Sequence, residues 1–440
     1  MSDFAGSVLL TDWYQLTMLQ AYFDEGMTDT AVFECFVRSL PPGRDFLISA
    51  GLEQLLEYVE TLHFTPEELD WLASQHRFKP AFLDYLCDFR FRGDIDAMPE
   101  GTLFYPNEPI LRVTAPIAQA QLIESRLINL VHFQTVVASK AVRCTLAAPG
   151  KRLVDFGFRR THGGEAGLMA ARACYLAGYD GTATVQAGMR FGIPVFGTMA
   201  HSYVEAHATE VEAFQRFAQS QPDNVVFLID TYDTEAAARK VAALAPRLAQ
   251  QGIRIGSVRL DSGDLAAHAR AVRAILDEAG QQGIGIFCSG NLDEDELHGL
   301  LAAGAPIDGF GVGTRVDTSC DSPYLDCVYK LQEYAGTARR KRSAGKATWP
   351  GRKQVYRSYT ADGRFDHDVV ALLNEPPPAG VPLLQNCMRQ GQRVGATVTL
   401  AQSRDHVAAQ LRQLPATWPY RVEISPALQQ LARQLDREEH

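Results

Sequence analysis

The stretch "IGSVRLDSGDLAAHARAVRAILDEAGQQGIGIFCSGN", from Ile255 to Asn291, contains one complete strand–helix–strand unit. Its two ends are short apolar runs that stop in polar or small residues. The segment between them has the apolar spacing of a helix, with one face formed by Leu265, Ala269, Val272, Ile275 and Leu276. Apolar strands that alternate with amphipathic helices indicate a parallel sheet covered by helices.

This unit is repeated along the middle of the chain. Short apolar runs end near Arg160, His201, Asp230, Asp261, Ser289 and Thr314, and helical patterns lie between several of them. Six or more such units favour an α/β barrel over an open sheet. An open doubly wound sheet stays an alternative, because hydrophobic periodicity alone does not separate the two architectures.

The composition limits the classes of function. The chain has 440 residues, of which 46% are hydrophobic, and a formal net charge of −10. An acidic protein is a poor general binder of nucleic acid or of an anionic membrane surface. The eight cysteines form no CxxC pair, and no apolar run approaches the roughly 18 residues that span a bilayer. The N-terminus has no signal-like pattern. We therefore expect a cytoplasmic protein that binds neither nucleic acid nor membrane.

Polar residues follow each predicted strand. In parallel α/β folds, ligands bind at the carboxyl ends of the strands. One common site is therefore predicted for Arg159, Arg160, His201, Asp230, Asp261, Asp264, Ser289, Asn291 and Thr314. Any one of them alone is better explained as a solvated turn residue, but their repetition at six strand ends favours a site.

Two of the predicted loops have the character of anion-binding loops. The segments "SGN" (289–291) and "GFGVGT" (309–314) are rich in small residues, which lets backbone N–H groups approach an anion closely. Two such loops after neighbouring strands favour a phosphate site. No Walker A, HExxH or GxSxG motif occurs, so P-loop and nucleophilic hydrolase functions lose support.

Eight motifs occur in a characteristic order along the chain: "TDWYQLTM" (Thr11–Met18), "DFGFRRTHGGEAG" (Asp155–Gly167), "GTMAHS" (Gly197–Ser202), "LIDTYDT" (Leu228–Thr234), "RLDSGD" (Arg259–Asp264), "SGNLDE" (Ser289–Glu294), "GFGVGT" (Gly309–Thr314) and "GKATWPGRKQVYR" (Gly345–Arg357). Together they resemble the nicotinate phosphoribosyltransferase family, and the likeness covers about Leu10 to Arg357. One position departs from the family pattern: Asp317 stands where a small or apolar residue is expected.

The resemblance implies a fold and a reaction. The fold is a distorted parallel α/β barrel of the type II phosphoribosyltransferase kind, with a second α/β domain built from N- and C-terminal segments. We place the N-terminal domain at 1–135, the barrel with the active site at 136–340, and at 341–440 a segment that packs with the N-terminal domain. The reaction joins nicotinic acid to phosphoribosyl pyrophosphate (PRPP), giving nicotinate mononucleotide and pyrophosphate for NAD biosynthesis. It is coupled to ATP hydrolysis through a phosphohistidine, with Mg²⁺ accompanying the phosphorylated ligands, in a homodimer with shared active sites.

The same resemblance implies roles for individual residues. His201 carries the phosphate, a role that a neutral imidazole nitrogen near pH 7 can fill. Asp261 acts near the ribose or the metal, although no residue is predicted as a dedicated metal ligand. The remaining assignments are Tyr14 and Phe156 for the pyridine ring, Arg159 and Arg259 for the carboxylate and the 5′-phosphate in an order left open, and Ser289, Gly290, Asn291, Gly311, Gly313 and Thr314 for the 5′-phosphate.

Other functions stay open as alternatives. Nicotinamide-using relatives carry an aspartate at the position of Ala183, and its absence here favours the anionic substrate nicotinate. Nicotinamide or quinolinate transfer on the same fold remains the first alternative. An aldolase or isomerase is disfavoured because no lysine ends any of the six predicted strands, and a non-catalytic ligand-binding barrel is the last alternative.

Overall fold

The computed structural model describes residues 6–343 and 345–437. The chain divides into two compact units. The terminal unit combines Met1–Ser139 with Tyr324–His440, and the central unit is Lys140–Pro323.

The first part of the terminal unit mixes helices with short strands. Its elements are α1 (Trp13–Glu25), β1 (Thr30–Val37), β2 (Leu47–Ile48), α2 (Leu52–Thr61), α3 (Pro66–Ser74), α4 (Pro80–Cys87), β3 (Asp94–Ala97), β4 (Leu103–Phe104), β5 (Leu111–Pro116), α5 (Ile117–Leu122) and α6 (Glu124–Ala147). Helix α6 continues across the division into the central unit.

The central unit alternates strands with helices. Its elements are β6 (Arg152–Asp155), a 3-10 turn (Phe158–Arg160), α7 (Gly164–Leu176), β7 (Gly181–Thr182), α8 (Val185–Phe191), α9 (His201–Glu205), α10 (Glu210–Ser220), β8 (Val225–Leu228), α11 (Thr234–Gln250), β9 (Ile255–Leu260), α12 (Leu265–Glu278), β10 (Gly285–Ser289), α13 (Glu294–Ala302), β11 (Gly309–Val312) and α14 (Thr314–Asp317). Apart from the segment before His201, the alternation is the one that the apolar runs predict.

The chain then returns to the terminal unit, mainly as strands. These elements are β12 (Cys327–Tyr334), β13 (Thr337–Ala338), β14 (Lys353–Tyr359), β15 (Phe365–Leu372), β16 (Val381–Pro382), β17 (Gln385–Arg389), β18 (Gln392–Arg393), α15 (Leu400–Leu411), β19 (Arg421–Ile424) and α16 (Pro426–Arg437).

The sheets of the terminal unit join the two ends of the chain. The largest has seven strands in the order β13-β12-β1-β5-β3-β17-β18, so β1 lies between a late strand and an early one. A four-stranded sheet has the order β16-β14-β15-β19, and β2 pairs with β4. The C-terminal segment therefore shares a sheet with the N-terminal segment, through the antiparallel pair of β17 and β3.

The central unit is shorter than the range 136–340 that the sequence suggests. Strand β12 pairs antiparallel with β1 along its whole length, from Val37 opposite Cys327 to Ala31 opposite Tyr334. Its backbone hydrogen bonds therefore hold β12, and β13 beside it, in the terminal unit. The central unit ends at Pro323 for this reason.

The six strands of the central unit form one parallel sheet in the order β7-β6-β11-β10-β9-β8. The first strand, β6, pairs with the last, β11, and also with β7. A first strand beside a last strand is the order of an α/β barrel, and an open doubly wound sheet does not have it. The sheet is a curled half-barrel, so the predicted α/β-barrel class is confirmed.

The predicted strand before His201 does not form. Val195 makes one isolated parallel bridge with Thr182, and His201 begins the short helix α9. Two backbone oxygens of the segment between them accept hydrogen bonds from side chains rather than from a neighbouring strand. Gly197 accepts a hydrogen bond from the side chain of Asn224 at 2.8 Å, and Met199 accepts one from Arg259 at 3.1 Å.

Among residues 6–343 and 345–437, no helix is both long enough and apolar enough to cross a bilayer.

Candidate active site

His201 lies at the carboxyl edge of the parallel sheet. Its Nδ1 is 3.2 Å from the hydroxyl of Thr231, which follows β8. Its Nε2 is 4.0 Å from Oδ1 of Asp230, and 40% of the His201 side chain is exposed. The imidazole therefore faces both solvent and a carboxylate.

Asp230 connects His201 to the next strand end. Its side chain is only 3% exposed. Its Oδ2 accepts hydrogen bonds from the backbone N–H of Asp261 at 3.0 Å and from the hydroxyl of Ser262 at 2.6 Å. Its Oδ1 is buried and has no hydrogen-bond partner among the residues that the structure describes. This unsatisfied oxygen is the one that lies near His201.

Arg259 projects from β9 towards the segment before His201. Its guanidinium donates to the hydroxyl of Thr198 and to the carbonyl of Met199, both at 3.1 Å. Burial lowers the pKa of Arg259, and the nearby charge of Arg159 acts in the same direction, while Asp261 and Asp230 oppose it. Two guanidinium groups and two carboxylates therefore share this edge of the sheet.

Asp261 and the loop after β10 are in direct contact. Ser289 donates a 2.5 Å hydrogen bond to Oδ1 of Asp261. Gly290 has a φ of +102°, and a methyl group on it would lie 2.2 Å from the backbone oxygen of Asp261. Only glycine fits this position without strain. Asn291 continues the loop with a φ of +55°, a left-handed conformation that asparagine tolerates better than most residues.

The second glycine loop packs against Phe156. A methyl group on Gly311 would lie 2.4 Å from the Phe156 ring, and one on Gly313 would lie 2.7 Å from the Phe156 backbone. Glycine is therefore needed here for close packing, whatever ligand the loop binds. Thr314 begins α14 directly after this loop.

The contacts form a continuous line along the carboxyl edge. Ser289 and Gly311 are neighbours in the β10–β11 register. The line therefore runs through His201, Asp230, Asp261, Ser289, Gly311 and Phe156. These predicted residues of the central unit thus lie along one edge of the sheet.

Some candidates lie elsewhere or have other partners. Tyr14 belongs to the terminal unit, where its hydroxyl lies 3.4 Å from Glu124. Asp264 caps α12 by accepting from the N–H of Ala267 at 3.0 Å. Arg160 ends the exposed 3-10 turn.

Two groups in the site have no role assigned from the sequence alone. Thr231 contacts the His201 ring, and Asp155 ends β6 with a buried carboxylate. Asp155 could have been identified from the sequence, because it is an acidic residue at the end of the apolar run "RLVD". A lone threonine in a turn gives no comparable signal.

A separate polar cavity lies in the terminal unit. Its volume is about 430 Å³, and Arg112, Arg352 and Arg389 are among its lining residues. Asp96 pairs with Arg112 and Arg389, at 2.6 Å each, and Glu333 pairs with Arg352 at 2.8 Å. Its arginines are already ion-paired, so the edge of the parallel sheet remains the better candidate for a site.

The fold and the site define an α/β half-barrel protein with a polar site at the carboxyl edge of its sheet. Two family models match the chain. The nicotinate phosphoribosyltransferase (NAPRTase) N-terminal domain matches residues 9–132, and the nicotinate phosphoribosyltransferase (NAPRTase) family matches residues 151–346.

Individual relatives agree with the family models. The chain is 46% identical over 408 residues to nicotinate phosphoribosyltransferase pncB2 of Mycobacterium tuberculosis, a match that covers 92% of this chain and 87% of the relative. It is 39% identical to nicotinate phosphoribosyltransferase of Bacillus subtilis, covering 83% and 76%. The crystal structure of human nicotinic acid phosphoribosyltransferase superposes with a TM-score of 0.87 at 30% identity, covering 97% and 99%. The chain belongs to the nicotinate phosphoribosyltransferase family, which confirms the resemblance of the eight motifs.

The loop at Gly290 gives a first prediction. Gly290→Ala should destabilise the protein by about 1–3 kcal/mol, because it combines an unfavourable φ with a clash against the Asp261 carbonyl. Denaturant unfolding measures this free energy. The matched control is Gly283→Ala, where the new methyl group meets no atom within 4 Å and the expected change is within about 0.5 kcal/mol. Equal effects of the two substitutions would contradict the described loop geometry.

Proposed function

We propose that the protein transfers the phosphoribosyl group of PRPP to nicotinate, giving nicotinate mononucleotide and pyrophosphate, and that ATP hydrolysis drives the step through phosphorylated His201. The observation that carries the proposal is the line of contacts from His201 to Phe156 at one edge of the sheet. Membership of the nicotinate phosphoribosyltransferase family supports the choice of reaction.

The transfer itself needs charge stabilisation more than proton transfer. The pyridine nitrogen attacks C1 of the ribose with its own lone pair, while the bond from C1 to the pyrophosphate oxygen breaks. C1 develops positive charge, and the leaving group takes negative charge. Asp261, held by the hydroxyl of Ser289, is our candidate for stabilising C1.

Nicotinate presents a flat ring and a carboxylate, and both have candidate partners. Phe156 offers an aromatic face at the carboxyl edge, and offset stacking contributes about 0.5–1.5 kcal/mol beyond area burial. Arg159 and Arg259 supply planar guanidinium groups suited to a carboxylate or a phosphate. Ala183 is exposed just after β7 and places no negative charge there, which favours the acid over the amide.

The surroundings of His201 support the proposal that it accepts a phosphate group. Attack by a ring nitrogen on the γ-phosphorus of ATP forms an N–P bond, and the bond to the departing ADP oxygen breaks. The phosphorylated ring carries positive charge when its other nitrogen holds a proton. We propose that Asp230, whose unsatisfied Oδ1 lies 4.0 Å from Nε2, stabilises that charge.

We also propose that Mg²⁺ enters with the phosphorylated ligands. Among the described residues, no group of three His, Cys, Asp or Glu side chains is arranged to hold a metal ion. Mg²⁺ is commonly held by one or two carboxylates together with substrate phosphates. Asp261 would supply the carboxylate, and the ion would neutralise charge on the leaving group.

A homodimer and a cytoplasmic location complete the proposal. Helix α8 presents two large apolar side chains, Val185 at 73% and Met189 at 80% exposure. Exposed apolar surface of this kind marks interaction sites, which supports association of two copies.

Tyr14 is proposed to complete the ring site, by the family resemblance alone.

Product analysis tests the reaction. Purified protein is offered PRPP with nicotinate, nicotinamide or quinolinate, each with and without ATP. Nicotinate should give its mononucleotide, with ATP increasing the yield. Product from quinolinate with release of CO₂, or from nicotinamide alone, would replace the proposed substrate. No mononucleotide from any of the three would support a non-catalytic ligand-binding protein.

Labelling tests His201. With ATP labelled in the γ-phosphate, the wild type should gain an acid-labile label, and His201→Ala should gain none and lose the stimulation by ATP. His298→Ala is the matched control, because His298 is exposed on α13 of the same unit. A label that persists in His201→Ala would move the phosphorylation to another residue.

Substrate choice tests Ala183. Two like charges about 5 Å apart repel by roughly 3 kcal/mol at an effective dielectric of about 20. Solvent weakens this repulsion at an exposed position, so Ala183→Asp should raise the KM for nicotinate about tenfold, which corresponds to about 1.4 kcal/mol. Ala183→Ser, a neutral change at the same position, should leave the KM nearly unchanged. An equal rise in both variants would mean that size, not charge, matters there.

A further inference from the structure

Two buried carboxyl groups meet beneath the proposed substrate loop. Asp155, at the end of β6, is 1% exposed, and Asp317, at the end of α14, is 2% exposed. Both lie against Gly157, whose backbone N–H donates to Oδ1 of Asp155 at 2.8 Å and whose α-carbon, if it carried a methyl group, would bring that group within 2.0 Å of Oδ2 of Asp317. Ionised carboxylates can only accept hydrogen bonds, so a hydrogen bond between these two groups requires that one of them carries a proton. Two adjacent negative charges in a buried site would also repel each other strongly.

The other partners of the pair indicate which group holds the proton. Asp155 accepts from the backbone N–H of Gly157 at 2.8 Å and from the hydroxyl of Thr182 at 2.6 Å, and both bonds stabilise its ionised form. Asp317 accepts the weak thiol donor of Cys174 at 3.7 Å. Its Oδ2 is buried and accepts no hydrogen bond from any described residue. Such an oxygen is satisfied when it is a hydroxyl that donates.

The pair touches the loop that carries Phe156 and Arg159. A methyl group on Gly157, between those two residues, would lie 2.0 Å from Oδ2 of Asp317. The backbone of this loop therefore rests directly on the Asp317 carboxyl group.

The same pair reaches two further loops of the site. The backbone N–H of Asp317 donates to the carbonyl of Gly313 at 3.0 Å, which fixes α14 to the glycine loop. The backbone N–H of Ala183 donates to the carbonyl of Asp155 at 2.8 Å. One buried pair thus connects the loops that follow β6, β7 and β11.

We propose that Asp317 is a positioning residue whose carboxyl group keeps its proton and donates it in a hydrogen bond to Asp155. The shared proton holds the Phe156–Arg160 loop against the glycine loop and so maintains the geometry for nicotinate. The link to nicotinate rests on the proposed function, whereas the shared proton does not depend on it.

Burial and the neighbouring charge of Asp155 raise the pKa of Asp317 well above its usual range. The packed elements also carry Cys174 and the buried Arg172 of α7, Tyr179 of the turn after α7, Cys144 of α6, and the exposed Arg159 and Arg160 of the 3-10 turn. Burial raises the pKa of Cys144 to about 12 and also raises the pKa values of Cys174 and Tyr179, so these groups stay neutral near pH 7. Burial raises the pKa of Asp155 as well, while its hydrogen bonds from Thr182 and Gly157 lower it. Because both bonds favour the ionised form of Asp155, a second negative charge in this cluster appears when Asp317 ionises.

The raised pKa fixes the sign of the pH dependence. The folded protein binds the Asp317 proton more tightly than the unfolded chain does. The contribution to stability is therefore complete below the ordinary pKa of an aspartate, and it is lost as pH rises towards the raised pKa of the folded state. Ionisation should also loosen the loop, so nicotinate binding should weaken as the pH rises through the raised pKa of Asp317.

Two substitutions distinguish the effect of the hydrogen-bond donor from the effect of the side-chain volume. Asp317→Asn keeps an N–H donor for Asp155 but cannot ionise, and Asp317→Val removes the donor at similar volume. In steady-state kinetics, Asp317→Asn should keep the nicotinate KM within about twofold of the wild type. Asp317→Val should raise this KM about tenfold with a smaller change in kcat, because the buried carboxylate of Asp155 loses its hydrogen-bond donor. The wild-type KM should rise as the pH passes through the raised pKa of Asp317, and that of Asp317→Asn should not show this rise.

Two measurements test the shared proton without any turnover. The wild type should show the infrared carbonyl band of a neutral carboxylic acid at neutral pH, and both variants should lose it. Glu108, buried beside Asp368 in the terminal unit with its own pKa raised by burial, supplies a similar band that should persist in all three proteins. The midpoint of thermal unfolding should fall with pH more steeply in the wild type than in Asp317→Asn.

Any one of three results would overturn the inference. The first is an unchanged infrared band in Asp317→Asn, and the second is the same pH dependence of stability in the wild type and Asp317→Asn. The third is a nicotinate KM that is equal in the Asn and Val variants. If Asp317→Val does not fold, the comparison of wild type with Asp317→Asn still decides. If the wild type does not use nicotinate, the proposed function fails, and the band and the stability slope still test the proton.

Discussion

The parallel register of the central sheet is the constraint on which the site depends. Arg259 of β9 stands opposite Phe287 of β10, and Ser289 of β10 stands opposite Gly311 of β11. Parallel strands leave the sheet at the same edge, so Asp261 and Gly290 begin their loops at one level. A slip of one residue would turn each side chain to the other face. The hydrogen bond from Ser289 to Asp261 is therefore a consequence of the register.

The repeated units of the central domain are the part that the sequence predicts well. The face predicted for α12 is the one buried in the structure, through Ala269, Val272 and Leu276. Such patterns are local, and hydrophobic periodicity records them directly. The segment before His201 is different. Its apolar residues have the pattern of a strand, yet two of its backbone oxygens accept hydrogen bonds from Arg259 and Asn224. These two residues are distant in sequence, so the hydrogen bonds produce no local sequence pattern.

The boundary of the central unit could not be predicted for a similar reason. The range 136–340 places β12 with the barrel, because nothing in the residues of β12 identifies its partner strand. Its partner is β1, roughly 300 residues earlier, and the two strands pair from Val37–Cys327 to Ala31–Tyr334. Pairing over such a separation is decided by the assembled sheet. Local periodicity can identify a strand, but it does not identify the sheet to which the strand belongs.

Asp317 shows how a departure from a family pattern acquires physical meaning. In the sequence it is only an acidic residue at a position where a small or apolar one is expected. In the structure it lies beside a second buried carboxyl group, and a buried charge is costly unless it is paired or neutralised. Asp155 already has two donors for its charge, so the proton belongs on Asp317. The free-energy cost of burying a charge makes an acidic residue unexpected at this position, and the same cost keeps the Asp317 carboxyl group protonated. A protonated carboxyl group can donate a hydrogen bond, which an apolar side chain cannot do.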